Sequence, residues 1–478
     1  MSTVAILNFV NQTECVSLKS QLNIPILSCN QIQDKGLSSS ISFMIEEVKS
    51  FKCDYVMLFL SNLHYEFCEG GLNRMVEIAE QSGKDFVYFD LKRKDNEGNE
   101  EVWTLCDYQL GSLRDDFDFG EIVFIRKDAL LKANIEDGLK FAAFYSLRLQ
   151  CCNFDGESSS VFHSTEVLYT VSEPDNRTSG EKQFDYVAPN AREKQIEMER
   201  VHTSNLKRIG AFISPAQNKN CQIDDAKGVN IMKACGNTMS VVIPVKNRAK
   251  TIKDAVMSAA NQKGVDYNII VVDNYSNDGT SEILSELTRS VKNLVVLQPE
   301  QDNLQIGGCW MYAVNSEHCG DYAVQLDSDD VYSGDDTLLK VKQCFESTGA
   351  KMVIGTYDLT DFDLNPIPPG IIAHKEWTDD NGANNALRIN GLGAPRAFVR
   401  DALRENPLPN VSYGEDYAAG LRFSRDFAIG RIYDVLYHCR RWGGNSDSSL
   451  SPAKLKKNNE YKDSLRTNEV RERMKISK

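Results

Sequence analysis

The sequence predicts an α/β protein with two domains of mostly parallel sheet, joined by a helical linker. Three observations carry this. Short apolar runs alternate with helical stretches over residues 1–180 and again over 238–450. Apolar strands separated by helices make a mostly parallel sheet covered on both faces. A polar stretch, 181–237, lies between the two regions. The two regions also match each other in order. Without gaps, Asp54-Tyr55 falls on Asp321-Tyr322, Ser61 on Ser328, Tyr65 on Tyr332 and Leu72 on Leu339. Then "FDL" ending at Leu91 faces "YDL" ending at Leu359, "DAL" at 128–130 faces 401–403, and "VLY" at 167–169 faces 435–437. Offsets that stay near 270 across these blocks indicate duplication of a whole domain.

Composition agrees. A chain of 478 residues is too long for one ordinary core. At 41% hydrophobic and 26% charged it is globular. The net charge of −14 argues against a general nucleic-acid binder and for small molecules, or acidic ligands held through a cation. "MSTVAILNFVNQ" lacks the pattern of a signal peptide, and no run approaches the length of a membrane span. The thirteen cysteines are scattered without a Cys-x-x-Cys pair, which reads as reduced thiols. The expected location is cytoplasmic, with peripheral contact at the inner membrane face as the variant.

In the first region the strands are "STVAILNFV", "DYVMLFL", "DFVYFDL" and "EIVFIR", and the helices "GGLNRMVEIAEQSG" and "GLKFAAFYSLRLQ". The linker carries a helix in "NAREKQIEMERVHTSNLKRIGAF", with Ile196, Met198, Val201 and Leu206 as its apolar positions, and then loosens into a loop. In the second region the strands are "MSVVIPV", "YNIIVVD", "NLVVLQ" and "DYAVQLD". The basic segment 451–478 reads as a solvated helix, or less readily as a membrane-surface patch.

The chemistry gathers at the ends of the second region's strands, where open α/β sheets bind ligands. "VVDNYSNDGT" places Asp273 at a strand's carboxyl end, with Gly279, Thr280 and Asp278 starting a helix. A plain strand–turn–helix explains the turn but not the acid. In "VVIPVKNR" the strand halts at Pro244, and Lys246, Asn247 and Arg248 follow at the same edge. "LDSDD" clusters Asp327, Asp329 and Asp330 after the next strand, and such carboxylates can converge on Mg²⁺ or Mn²⁺ with diphosphate and water completing the shell. Acid pairs are common on loops, so a solvated turn is the plain alternative. Asp335 and Asp336, at a helix start, read as caps. In "YGEDYAAGLRF", Glu415 and Asp416 open an amphipathic helix; dipole stabilisation and general-base work are both open to them. In "YHCRRWGGNS", His438 is either structural or a metal ligand, and Arg440 or Arg441 can meet phosphate. "GLGAPRAF" is a Gly/Pro loop suited to close approach of a sugar, or a simple turn.

In this order the pieces resemble the family 2 glycosyltransferases of GT-A fold. The resemblance spans about 239–449: "VVIPVKN", "VVDNYSNDGT", "DNLQIGGCWMYAVNSEHCGDYAVQLDSDD", "GLGAPRAF", "GED" and "YHCRRWGGNS". It implies two GT-A-like, Rossmann-related domains, the second catalytic and the first degenerate. It implies a metal-dependent, inverting transfer of one sugar from a nucleotide-sugar donor to a hydroxyl of a glycan or lipid-linked glycan. Asp416 would be the base, with Glu415 beside it. Pro244, Lys246, Asn247, Arg248, Asp273, Asn274, Gly308, Asn315, Asp327, Ser328 and Arg441 would line the donor site, and Gly393, Ala394 and Pro395 the acceptor side. Asp327, Asp329 and His438 would hold Mn²⁺ or Mg²⁺. Asn274 departs from the pattern, standing where a second acid is common. "RRWGG" lacks the Gln expected of processive synthases, which points to single-sugar transfer.

The duplication explains an internal contrast. Asp327 falls on Leu60, Asp329 on Asn62, Asp330 on Leu63, His438 on Thr170 and Asp416 on Lys140. The first domain, having lost ligands and base together, is expected to serve as a scaffold, an oligomerisation surface or an acceptor grip. The rival reading is a non-catalytic binder of sugar nucleotides or glycans, against which the second domain's intact acids count. Nucleotidyl transfer would want a glycine-rich loop that "VVIPVKNRAKT" does not have.

Overall fold

The computed structural model describes residues 34–61, 63–172, 192–214, 238–375, 378, 381–445 and 451–476, together with the backbones of two short strands, β1 (Val4–Asn8) and β2 (Ile26–Leu27). Asn62 and the loop expected beyond residue 214 lie outside the described residues. Two compact units result. One takes the described residues within Met1–Tyr186, Ala191–Phe212 and Leu450–Lys478, and the other those within Ile213–Ser449. Both are α/β, as the sequence predicts.

The second unit is built on a nine-stranded sheet. Its strands are β13 (Met239–Val245), β14 (Tyr267–Asp273), β15 (Leu294–Leu297), β16 (Tyr322–Gln325), β17 (Val331–Tyr332), β18 (Met352–Thr360), β19 (Pro366–Ile372), β20 (Arg396–Val399) and β21 (Ile429–Arg440). Along the sheet they run β15-β14-β13-β16-β20-β18-β21-β17, with β19 against β18. The first four are mutually parallel. Val241, Val242, Ile243, Ile269, Ile270, Val271 and Val272 are inaccessible to solvent, as strands covered on both faces require. Strand β20 is antiparallel to both β16 and β18, and β18 and β21 are parallel.

The first unit repeats this topology. Its strands are β1, β2, β3 (Tyr55–Phe59), β4 (His64–Phe67), β5 (Phe86–Phe89), β6 (Leu91–Lys94), β7 (Glu100–Trp103), β8 (Ile122–Arg126), β11 (Val161–Ser164) and β12 (Tyr169–Ser172), with a small hairpin, β9 (Phe154–Asp155) and β10 (Ser158–Ser159). The main sheet runs β2-β1-β3-β8-β5-β11. The directions between neighbours are parallel, parallel, antiparallel, antiparallel and parallel. That is the sequence of directions from β14 to β21 in the other unit. A second sheet, β4-β12-β6-β7, matches β17-β21-β18-β19 in the same way.

Two expectations are corrected here. The helix expected in the linker, α5, spans Arg192–Ile209 and belongs to the first unit. It packs on α4 (Ala143–Cys151), and Met198, Val201 and Leu206 are buried, whereas Ile196, expected on the same face, is 51% exposed. That unit also holds the helices α1 (Ser38–Ser50), α2 (Gly71–Ser82) and α3 (Lys127–Lys132). The basic segment is a helix (Pro452–Ile476), but it is not solvated: Lys462, Asp463, Arg466, Glu469, Val470 and Arg473 are buried in the first unit. Its charges are neutralised in place. Arg466 meets Asp463 at 2.8 Å, Arg473 meets Glu469 at 2.7 Å, and the Ser112 hydroxyl donates to Asp463 at 2.9 Å. With Tyr108, Phe154 and Arg208, this helix also lines a cavity of ≈ 680 Å³.

The helix sits so close to the 109–114 segment that only glycine fits at 111. Its N–H donates to the Thr467 hydroxyl at 2.9 Å, and a Cβ would overlap backbone atoms of Asp463 and Thr467. Gly111→Ala is therefore expected to destabilise the first unit by about 1–3 kcal/mol, the usual cost of overpacking, read as a lower midpoint in denaturant unfolding.

Candidate active site

The carboxyl ends of β13, β14 and β16 form one edge, and most of the residues singled out in the sequence meet there. After β13, Lys246 and Asn247 are exposed. Asn247 adopts φ 57°, a left-handed conformation Asn tolerates. It ties two loops together: its N–H donates to the Ser276 hydroxyl at 2.9 Å, and its Oδ1 accepts from Asn277 N–H at 2.8 Å. Pro244 is in register with Val272 inside the sheet. Asp273 is 3% exposed, and both its oxygens are engaged locally, by Ser276 N–H at 3.0 Å and the Ser281 hydroxyl at 2.5 Å. Asn274 donates to Leu304 O at 2.7 Å. The strand end and the turn into α7 (Thr280–Ser290) thus hold each other.

The acidic turn after β16 is held from several sides. Asp327 accepts from Gln325 Nε2 at 3.0 Å on both oxygens, and its N–H donates to Tyr437 Oη at 3.0 Å. Ser328 is buried. Asp329 Oδ2 lies 3.7 Å from Arg248 Nε and accepts from Asn445 Nδ2 at 3.3 Å. Asp330 is 4% exposed and accepts from Arg440 N–H at 2.8 Å, so it supports the turn rather than facing out. Arg440, one of the two phosphate candidates, is itself buried and donates to Asp329 O at 2.6 Å and Asp254 at 3.0 Å. Arg441 is partly exposed, with its N–H on Thr360 O at 2.7 Å. Burial and the neighbouring acids push the Asp327 carboxyl up, and Asp330 well up. An edge that crowds carboxylates in this way favours a cation nearby.

Glu415 and Asp416 open α12 (Glu415–Asp426), after Gly414 at φ 76°. Asp416 Oδ2 lies 2.6 Å from Arg396 Nη2. Arg396, at the first position of β20, also donates from Nη1 to Gln325 Oε1 at 2.7 Å. Its neighbours Asp416, Asp327 and Glu415 hold its charge in place. Glu415 Oε2 is sealed from solvent and has no hydrogen-bond partner among the described residues. Burial first, and Asp416 second, push its carboxyl up to about 8.

Other expected residues are not brought to this edge, or are explained by packing. Asn315 ends α8 (Ile306–Asn315), seven residues or roughly 10 Å along the axis from Gly308. Arg404 donates to Val314 O at 2.7 Å there, beside the amino ends of the strands, so Asn315 is at the opposite edge. A Cβ on Gly308 would overlap Asn410, so close packing accounts for that glycine. Gly393 has φ 100°, and a Cβ there would lie 2.8 Å from Gly355 O; Ala394 is buried, and Pro395 O accepts from Gly355 N–H at 2.9 Å. His438 Nδ1 is 2.6 Å from Asp358 Oδ1. Among the described residues no three His, Cys, Asp or Glu side chains converge to hold an ion, so the set Asp327, Asp329 and His438 is not assembled. The two carboxylates of the turn still fit a hard cation bound mainly by diphosphate oxygens, which needs only one or two protein ligands. Asp335 and Asp336 are not side-chain caps: they pair with Lys263 at 2.7 Å and Lys340 at 3.1 Å.

Gln325 and Arg396 were missed in the sequence. The only signal was a polar residue inside the apolar run "YAVQLD" and a charge at the start of "RAFV".

A parallel strand edge lined with acids, beside a helix that opens on an acid pair, lies where open α/β sheets bind their ligands. Residues 240–405 match the model of Glycosyl transferase family 2. A poly(ribitol-phosphate) beta-glucosyltransferase of Bacillus spizizenii is 25% identical over 222 residues, 45% of this chain and 34% of that protein. A putative teichuronic acid biosynthesis glycosyltransferase, TuaG, of Bacillus subtilis is 26% identical over 185 residues, 38% of this chain and 70% of that protein. The chain thus spans about a third of the length of the first of these relatives. Among solved structures, S. aureus TarS 1–349 in complex with UDP-GlcNAc is 21% identical with a TM-score of 0.38, covering 45% of this chain and 61% of that one.

Glu415 gives a prediction. Its folded carboxyl titrates near 8, against an ordinary value of 4.5. Between those values the folded state binds more protons than the unfolded state, so stability falls as pH rises. Melting temperatures measured from pH 5 to 8 should therefore fall less steeply for Glu415→Gln than for the wild type.

Proposed function

We propose that the second unit transfers one sugar from a nucleotide-sugar donor to a hydroxyl of a glycan or lipid-linked glycan, with inversion at the anomeric centre. The observation that carries the reading is one edge holding both Asp327-Asp329 and Glu415-Asp416, with Arg396 between Asp416 and Gln325. Ligands of open α/β sheets bind at that edge. Asp329 and Asp327 would hold Mg²⁺ or Mn²⁺, which when bound neutralises a diphosphate leaving group. His438, engaged by Asp358, is left outside the proposed set.

Asp416 is the proposed base. Its carboxylate keeps acceptor capacity beyond the Arg396 contact, since an ionised carboxylate has about four lone-pair sites. Glu415 carries its proton at neutral pH, because its carboxyl titrates near 8. Two adjacent acids in different protonation states divide the work: one accepts the acceptor's proton, the other donates a hydrogen bond. Arg248 and Lys246, beside the acidic turn, are the proposed partners of donor phosphates. Gly393, Ala394 and Pro395, packed against Gly355, are left outside the proposed set. The names of the relatives make a polymer of the poly(ribitol-phosphate) kind the first acceptor to test. The first unit is proposed as a degenerate copy that serves as scaffold or acceptor grip. Leu60, directly after its β3, takes the aligned position of Asp327.

The test is a thermal-shift screen of nucleotide sugars with and without Mn²⁺, in which a bound donor raises apparent stability, followed by a transfer assay. Asp416→Asn is expected to lower turnover by about 10²–10⁴-fold, the usual contribution of a general base. Asp329→Ala should abolish the response to Mn²⁺. Wild-type turnover in both variants would overturn the proposal.

A further inference from the structure

We infer that Gln325 and Arg396 are positioning residues that hold the proposed base in register with the donor-side acid. The inference rests on the transfer reading above. Four side chains form one hydrogen-bonded chain across the edge. Asp416 Oδ2 meets Arg396 Nη2 at 2.6 Å, Arg396 Nη1 donates to Gln325 Oε1 at 2.7 Å, and Gln325 Nε2 donates to both oxygens of Asp327 at 3.0 Å. A second contact, Arg396 N–H to Gln325 Oε1 at 3.2 Å, locks the middle of the chain.

The order of donors and acceptors leaves one arrangement. Arg has donors only, so it must face the amide oxygen of Gln325, and that turns the amide nitrogen toward Asp327. A glutamate at 325 would satisfy Arg396 but repel Asp327. A glutamate at 396 would repel Asp416. The two central residues come from adjacent antiparallel strands, β16 and β20, buried in the sheet, while the two ends sit on a turn and a helix start. Gln325 is 6% exposed, and the side chains of Arg396 and Asp416 are 17% and 30% exposed. The rigid part of the chain is therefore in the middle and the reactive groups are at its rims. A buried ion pair adds little net stability over apolar packing, so its value here is geometric. Sites tolerate little displacement of reacting groups: about 1 Å can cost 10²-fold in rate.

The test uses the full chain with the donor and acceptor found in the screen. Arg396→Met and Gln325→Met should each lower kcat by about 10–100-fold, measured well below the Tm of each variant. Arg396→Lys, which keeps one donor toward Asp416, should recover most of the loss. In an Asp416→Asn background, Arg396→Met should cause little further loss, because it acts through Asp416. Losses that multiply in the double variant, or kcat losses that track Tm with no rescue by lysine, would assign a structural role and overturn the inference. Wild-type kcat in Gln325→Met and Arg396→Met would overturn it as well, while an inactive Asp416→Asn left the transfer reading standing. An Asp416→Asn variant at full turnover would instead sink the transfer reading itself. Should Arg396→Met not fold, Arg396→Lys and Gln325→Met carry the same comparison.

Discussion

A guanidinium removed from water is stable only beside anions and hydrogen-bond acceptors that replace its solvent. Arg396 has both: Asp416 at one end of its fork, Gln325 at the other, and Asp327 and Glu415 within its field. That requirement ties three separate pieces of chain to one point. The start of β20 must lie beside the end of β16, and the first turn of α12 must close over both. The raised Glu415 carboxyl follows first from its burial and then from the neighbouring Asp416. Further along, Arg440 plays a similar part for the back of the acidic turn, holding Asp329 through its carbonyl and Asp330 through its carboxylate.

The first unit shows what the same topology does without that requirement. Its strand order and directions match the second unit's, yet β3 is followed by buried Leu60. Past the strand, the Ser61 hydroxyl donates to Glu121 at 2.6 Å, and Arg93 lies 3.5 Å from the same carboxylate and over the Trp103 ring. The edge is tied to itself by short-range pairs of opposite charge. The first unit keeps its shape without the cluster of like charges that marks the other unit.

The sequence showed the strands and their carboxyl ends clearly, because period and apolarity are local properties. Asp273, Asp327 and Asp416 could be placed from those patterns alone. The partners could not. Gln325 and Arg396 are 71 residues apart and meet only because β16 and β20 are antiparallel neighbours. Asn315 was misplaced because a helix carries its two ends to opposite edges of a sheet, and motif spacing does not record which end faces the site. The helix at 452–476 was misread for a related reason. Its composition is that of a solvated surface, and what buries it is neutralisation by acids on its own turns and hydrogen-bond donors some 350 residues upstream. Ile196 and Met198 share one apolar pattern, but only Met198 finds a partner face.

The return of that helix to the first unit has a consequence for synthesis. Residues 213–449 separate it from the strands and helices it completes. At typical translation rates, about 5–20 residues per second, the gap lasts on the order of ten to fifty seconds. Through that interval the emerging first unit lacks the segment that covers Gly111 and Ser112 and carries the Asp463 carboxylate to Arg114. The second unit has all its strands in one continuous stretch and can close first. The order of assembly is therefore inverted relative to the order of the chain. The half that begins earlier finishes later, and its exposed seam is where a nascent chain would most need protection from aggregation.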